Sequence, residues 1–119
     1  MRSIAKFFRV TMLWIMLLPW GAAGLGTASN QLVLIANGDQ FPVLANPVHK
    51  SHWAPDSNGM IDDDHCVMTK STHLNALADI IDLKDGMYSI GDLLVMLGEW
   101  LDTFCAIVWL TLVIRKLCA

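Results

Sequence analysis

The sequence predicts an all-α membrane protein, a two-helix transmembrane hairpin with a mostly irregular external loop that carries one short helix. Of its 119 residues, 55% are hydrophobic and 16% are charged, whereas soluble domains have about 45–50% apolar and about 25% charged residues. The apolar residues concentrate in 4–36 and 87–114, on either side of a polar middle. That middle, residues 37–89, holds three lysines and eight aspartates, while both ends of the chain are basic.

The charge distribution also predicts the topology. Basic residues beside a membrane segment tend to stay in the cytoplasm. The chain has Arg2, Lys6 and Arg9 near its start and Arg115 and Lys116 near its end. Two crossings then leave both termini cytoplasmic and the acidic middle outside. The alternative on composition is a soluble protein with a cleaved leader.

The first apolar segment, residues 1–36, has two interpretations. A basic start, an apolar run from Val10 and the small residues that follow it are typical of a secretory signal peptide. Under that interpretation residues 1–28 are a cleaved leader. The apolar character resumes before Ala36, however, and the 27 residues from Val10 exceed the roughly 20 that cross a bilayer. We therefore predict an uncleaved signal anchor that forms the first transmembrane helix.

The second predicted transmembrane helix, residues 90–114, contains acids that a lipid-facing helix excludes. The uncharged run before Arg115 is 103–114, only 12 residues long, which is too short for a hydrocarbon core about 30 Å thick. A crossing helix must therefore include Glu99 and Asp102. An isolated charge there costs about 2.5–3.5 kcal/mol, so both side chains should face protein, water or each other. Residues 115–119 form a cytoplasmic tail.

Small and acidic residues share one side of this helix. At about 100° per residue, Asp92, Glu99 and Asp102 fall within an arc of about 80°, and small residues lie beside them. Small residues let helices approach closely, and polar groups then bond across the interface. We predict that this side packs against a helix of the same chain or of an oligomer. The predicted helix-packing seam comprises Gly91, Asp92, Gly98, Glu99, Asp102, Cys105, Asn30 and Gln31.

Two other interpretations of the acids stay open. Residues 92–103 could lie flat in the membrane interface, with only the rest of the segment entering the bilayer. Glu99 could instead belong to a proton or ion pathway, since intramembrane acids also serve that purpose.

The external loop gives weak chemical signals. Apolar residues at helical spacing predict a short helix over about 72–82. An acidic turn precedes a histidine and a cysteine, but neither paired C-x-x-C spacing nor H-E-x-x-H is present. We therefore predict no metal, no cofactor and no catalytic residue, and we do not expect an enzyme. The weak metal candidates are His49, His52, His65, Cys66 and His73.

Three stretches of the chain read as short motifs. They are ANGDQFPV at 36–43, THLNALADII at 72–81 and YSIGDLL at 88–94. In order and spacing they resemble the A-N-G-G-x-M-P-V, T-x-L-x-x-L-x-D-I-I and S-I-G-D motifs of a bacterial membrane family known as domain of unknown function 5317. The resemblance covers residues 32–98. It implies the inner cell membrane and no assigned activity.

The sequence departs from these motifs at three positions. Asp39 stands in place of the second glycine, Phe41 in place of methionine and Asp82 in place of proline. The motif residues also predict local structure. A left-handed residue can end the first helix, and a serine side chain can cap the second. The predicted turn and cap residues are Asn37, Gly38, Pro42 and Ser89.

Three functions remain open on the sequence. We expect a small multi-pass membrane protein that contacts the lipid bilayer and binds or modulates a membrane-protein partner, or forms a homo-oligomer. The first alternative is a holin-like pore former of bacterial or phage origin. The second is an external metal-binding or sensing protein. Nothing in the composition indicates a nucleic-acid partner.

Overall fold

The computed structural model describes residues 2–45, 55–83 and 85–118. Two long helices dominate it. α1 is Arg2–Ala36, with 35 residues, and α2 is Ile90–Leu117, with 28 residues. Both contain a stretch long and apolar enough to cross a membrane, Met12–Ala36 in α1 and Ile90–Arg115 in α2. The two long apolar helices predicted from the sequence are therefore confirmed.

The two helices pack against each other in opposite directions. Their closest approaches occur at small residues, because a helix without bulky side chains lets its neighbour's backbone come near. Cys105 also contributes a bond across the pair, its Sγ lying 3.4 Å from the carbonyl oxygen of Ile15. The facing positions, from the α2 N-terminus onward, are Gly91 with Gly26, Gly98 with Ala23, and Cys105 with Ile15.

The chain between the helices forms a small unit that we call the head, made of the described residues 37–45, 55–83 and 85–89. It contains two pairs of short strands. β1 (Phe41–Val43) and β2 (His65–Val67) are parallel, whereas β3 (Ile81–Leu83) and β4 (Gly86–Tyr88) are antiparallel. A single 3₁₀ turn, Asn75–Leu77, lies between the two pairs.

The core of the head rests on the end of α1. Val33 of α1, Phe41 of β1 and Ala78 form one buried cluster. Three partly buried side chains pack around it: Leu34, Met68 and Leu77. Because Val33 belongs to the helix, burial of its apolar surface couples the head to α1.

The head corrects two predictions. The expected short helix over 72–82 is wrong, since only the 3₁₀ turn forms there. Leu74 adopts a left-handed backbone with φ 56°, and Ala78 is already extended. Asp79 then bridges to Val43 beside β1. The all-α expectation is incomplete, because four short segments of the head pair with one another as strands.

Candidate functional site

The N-terminus of α2 is joined to α1 by a polar network. Ser89 caps α2 by accepting a 2.9 Å hydrogen bond from the Asp92 backbone N–H, and its own N–H donates to Asp92 Oδ2 at 2.9 Å. Asn30 of α1 donates from Nδ2 to Asp92 Oδ1 at 2.7 Å. The Ser89 hydroxyl lies 2.9 Å from Asn30 Oδ1 and 2.8 Å from Asp92 Oδ2. A capping box thus also ties one helix to the other.

Gly91 makes this network possible. A Cβ atom at that position would collide with the Asn30 side chain and would lie 2.7 Å from the carbonyl oxygen of Gly26. Any larger residue at 91 would therefore push α2 away from α1. In the S-I-G-D segment, Ser89 thus caps α2 and Gly91 lets the two helices approach closely. Asp92 supplies the carboxylate that accepts the hydrogen bond from Asn30.

Asn30 and Asp92 of this network also line a cavity of about 420 Å³, which we call the acidic cavity. It is formed where the ends of both helices meet the head. All three motifs contribute to it. Its lining comprises Asn30, Leu34, Asp39, Phe41, Asp64, His65, Asp79 and Asp92.

Asp79 is the buried carboxylate of this cavity. Its side chain is 5% exposed, and its Oδ1 is buried with no hydrogen-bond partner among the described residues. Burial, the largest cause, and the negative charge of Asp92 together raise the pKa of Asp79 to about 7, against an opposing effect of His65. Asp79 therefore changes its charge close to neutral pH.

A second acidic surface lies along the helix pair. Glu99 and Asp102 are exposed, and the structure gives neither carboxylate a hydrogen bond or an ion pair with another described residue. They line a groove of about 180 Å³ between the helices, which we call the acidic groove. The other lining residues are Pro19, Trp20, Ala23 and Gly98.

The predicted helix-packing seam is thereby divided into two parts. Its small residues lie between α1 and α2, together with Asn30 and Asp92. Glu99 and Asp102 lie at the exposed edge of that contact, and Gln31 is exposed on α1.

The predicted turn residues fix the first motif to the second. Asn37 Nδ2 donates to the carbonyl oxygen of His73 at 2.9 Å, and Asn37 Oδ1 accepts from the His73 N–H at 2.8 Å. Gly38 is left-handed with φ 64°, and Pro42 is fully buried in β1. These residues position the head on α1.

The described metal candidates do not converge. The His65 imidazole is paired with Asp62, with 2.8 Å between Nδ1 and Oδ1. Burial raises the pKa of the Cys66 thiol, which disfavours the thiolate that binds metals. His73 is exposed beside Asn37. His49 and His52 lie outside the described residues. Within the described ranges, no three His, Cys, Asp or Glu side chains are grouped so that they could hold a metal ion.

Sequence reasoning missed the cavity because its members are far apart in the chain. Asp39, Asp64 and Asp79 meet only through the pairing of β1 with β2 and the bridge between Val43 and Asp79. One signal was present: Asp79 interrupts the apolar run ALADII. An acid within such a run indicates a buried carboxylate as readily as an exposed helix face.

A model of a protein family matches residues 5–107, most of the chain, and its description is "Family of unknown function (DUF5317)". This match is to the family that the three motifs resemble. No curated protein and no solved structure matches the sequence.

Proposed function

This chain belongs to the DUF5317 family of unknown function, and on that premise we propose that it is an integral membrane protein that binds a partner membrane protein through the acidic groove. In this proposal α1 is retained as a signal anchor and the two helices cross the inner cell membrane as a hairpin. Both termini lie in the cytoplasm and the head lies outside.

The membrane proposal is supported by the exposed apolar surface of both helices. Trp20 on α1 and Trp100 on α2 are 76% and 73% exposed, and most of the large apolar side chains around them are exposed as well. Soluble proteins rarely expose contiguous apolar surface along two whole helices, because its exposure to water is unfavourable. The backbone of both helices is internally hydrogen-bonded, as the hydrocarbon core requires. Arg9 and Arg115 lie at the ends farthest from the head, which fits the cytoplasmic side.

The single observation that carries the partner proposal is the depth of Glu99 and Asp102. At 1.5 Å per residue they lie about 14 and 18 Å along α2 from Ile90, near the middle of a core about 30 Å thick. An isolated carboxylate at that depth costs about 2.5–3.5 kcal/mol. A partner that offers hydrogen-bond donors or a cation would remove that cost.

Charge complementarity favours a partner of different sequence over a second copy. The part of α1 that lines the groove consists of Pro19, Trp20 and Ala23, and only Trp20 among them carries a side-chain hydrogen-bond donor. A second copy in the same orientation would bring further acids to the same depth. A helix with lysine, arginine, histidine or an amide at mid-membrane fits the groove.

Photocrosslinking in native membranes tests this proposal. A benzophenone amino acid replaces Trp20, which lines the groove, or Trp100, a matched exposed tryptophan outside it. We expect a heterologous membrane protein to be crosslinked from position 20 and not from position 100. The double variant Glu99→Gln, Asp102→Asn should abolish the adduct, whereas Asp63→Asn in the head should not.

Three results would contradict the partner proposal. They are equal crosslinking from both positions, an adduct that survives the double variant, and a ladder of copies of this chain alone. The ladder would favour the holin-like pore.

A further inference from the structure

The acidic cavity carries an excess of negative charge. Eight described residues line it, four of them are aspartates, and none of the eight is a lysine or an arginine. The imidazole of His65 is the only basic side chain among these described residues. A cleft lined by one sign of charge raises the local concentration of ions of the opposite sign.

Asp79 lines this cavity and has one carboxylate oxygen without a hydrogen-bond partner among the described residues. Its Oδ1 is buried without a partner among the described residues, and a buried ionised carboxylate requires a proton or a cation nearby. The other described polar residues that line the cavity come from both helices and from the head. They are Asn30 of α1, Asp92 of α2, Asp39 before β1, Asp64 before β2 and His65 in β2.

The dimensions and the walls of the cavity distinguish between kinds of cation. A volume of about 420 Å³ is far larger than a bare metal ion needs. Among the described residues, no three His, Cys, Asp or Glu side chains are grouped so that they could hold a metal ion. Leu34 and Phe41 supply apolar wall. Methylene groups can pack on such a wall, and an aromatic face attracts an ammonium group.

We propose that the acidic cavity binds a primary ammonium group carried on an alkyl chain, with Asp79 as one of its acceptors. The ammonium group donates three hydrogen bonds, and the aspartates and Asn30 Oδ1 offer acceptors around the cavity. The group could come from a free polyamine or from a lysine side chain of a neighbouring protein. This site is distinct from the acidic groove and does not depend on a partner there.

Binding should be linked to proton release. Asp79 is partly protonated at neutral pH, because its pKa is about 7, and an ammonium group binds its ionised form. Affinity should therefore increase from pH 6 to pH 8. The part of this pH dependence that is due to Asp79 is the part that Asp79→Asn removes.

Isothermal titration calorimetry of the full chain in nanodiscs tests the proposal, with spermidine and a blocked Gly-Lys-Gly peptide as probes. We expect saturable binding of at least one probe. Preference for spermidine would assign the site to free polyamines, and preference for the peptide would assign it to a lysine of a neighbouring protein. Asp79→Asn should weaken binding by about tenfold or more, as loss of a charged hydrogen bond does.

Neighbouring residues provide a matched pair of controls. Asp64 lines the cavity and Asp63 does not, although both are exposed. Asp64→Asn should weaken binding and Asp63→Asn should leave it unchanged, which keeps the test decisive if Asp79→Asn fails to fold. The proposal is overturned if neither probe binds, if Asp64→Asn and Asp63→Asn behave alike, or if Mg²⁺ binds at this site in preference to both amines.

Discussion

At the scale of single residues, the turn after α1 restricts which residue can stand at position 39. Asp39 adopts φ 64°, directly after Gly38 at the same φ. This left-handed region favours glycine, and an L-residue other than asparagine or aspartate seldom adopts it. Aspartate is therefore one of the few residues other than glycine that this turn tolerates.

Substitution of Asp39 should separate the backbone requirement from the side chain. We expect Asp39→Ala to lower the free energy of unfolding by about 1–2 kcal/mol, because alanine in a left-handed conformation is strained. Asp39→Gly should be at least as stable as the natural chain. Thermal unfolding in a mild detergent, followed by circular dichroism without added amine, measures both. Equal loss in the two variants would show that the carboxylate matters and the backbone does not.

At the scale of elements, the contact between α1 and α2 depends on which glycines face the partner helix. A Cβ at Gly98 would lie 2.7 Å from the carbonyl oxygen of Pro19 and 2.9 Å from the backbone nitrogen of Ala23. A Cβ at Gly24 would have no neighbouring atom within 4 Å. Gly98 thus faces the other helix of the pair, whereas Gly24 faces open space.

We expect Gly98→Leu to destabilise the helix pair by about 1–3 kcal/mol, the usual cost of overpacking. Gly24→Leu is the matched control and should change stability by less than about 0.5 kcal/mol. Denaturant titration of the detergent-solubilised protein measures both variants. A similar loss in the two would mean that α1 and α2 do not pack through Gly98.

The two long helices could be predicted from the sequence, whereas the strands of the head and the acidic cavity could not. Long apolar runs predict both helices, because burial in lipid or protein favours such segments regardless of their neighbours. The strands of the head are three residues each, too short for a periodic pattern. The apolar residues before Asp79 have helical spacing, but Asp79 forms a bridge to Val43 and the segment forms only a 3₁₀ turn. The acidic cavity could not be predicted, since Asp39, Asp64 and Asp79 meet only in the folded head.

At the scale of the whole molecule, Asp79 lies where the head meets both helices. It belongs to the segment that bridges to β1, and it lies in one cavity with Asn30 of α1 and Asp92 of α2. Asp92 in turn receives the hydrogen bond from Asn30 that joins the helices. The charge of Asp79 therefore bears on the junction of all three parts of the molecule.

This arrangement predicts that the protein loses stability as pH rises toward neutrality. The pKa of Asp79 is about 7 in the folded chain, against 3.8 for an unperturbed aspartate. The folded state thus binds the proton more tightly than the unfolded state does, so stability is greatest below about pH 4 for this group. It falls between about pH 4 and 7 and then levels off. A difference of about three pH units corresponds to about 4 kcal/mol.

Unfolding midpoints measured between pH 4 and 8 test this dependence without any ligand. We expect Asp79→Asn to flatten the decline, because asparagine does not titrate, whereas Asp63→Asn should retain it. Spermidine should raise the midpoint of the natural chain most at pH 8, where Asp79 is ionised and an ammonium group can replace the lost proton. If the decline persists unchanged in Asp79→Asn, a group other than Asp79 sets the pH dependence of stability.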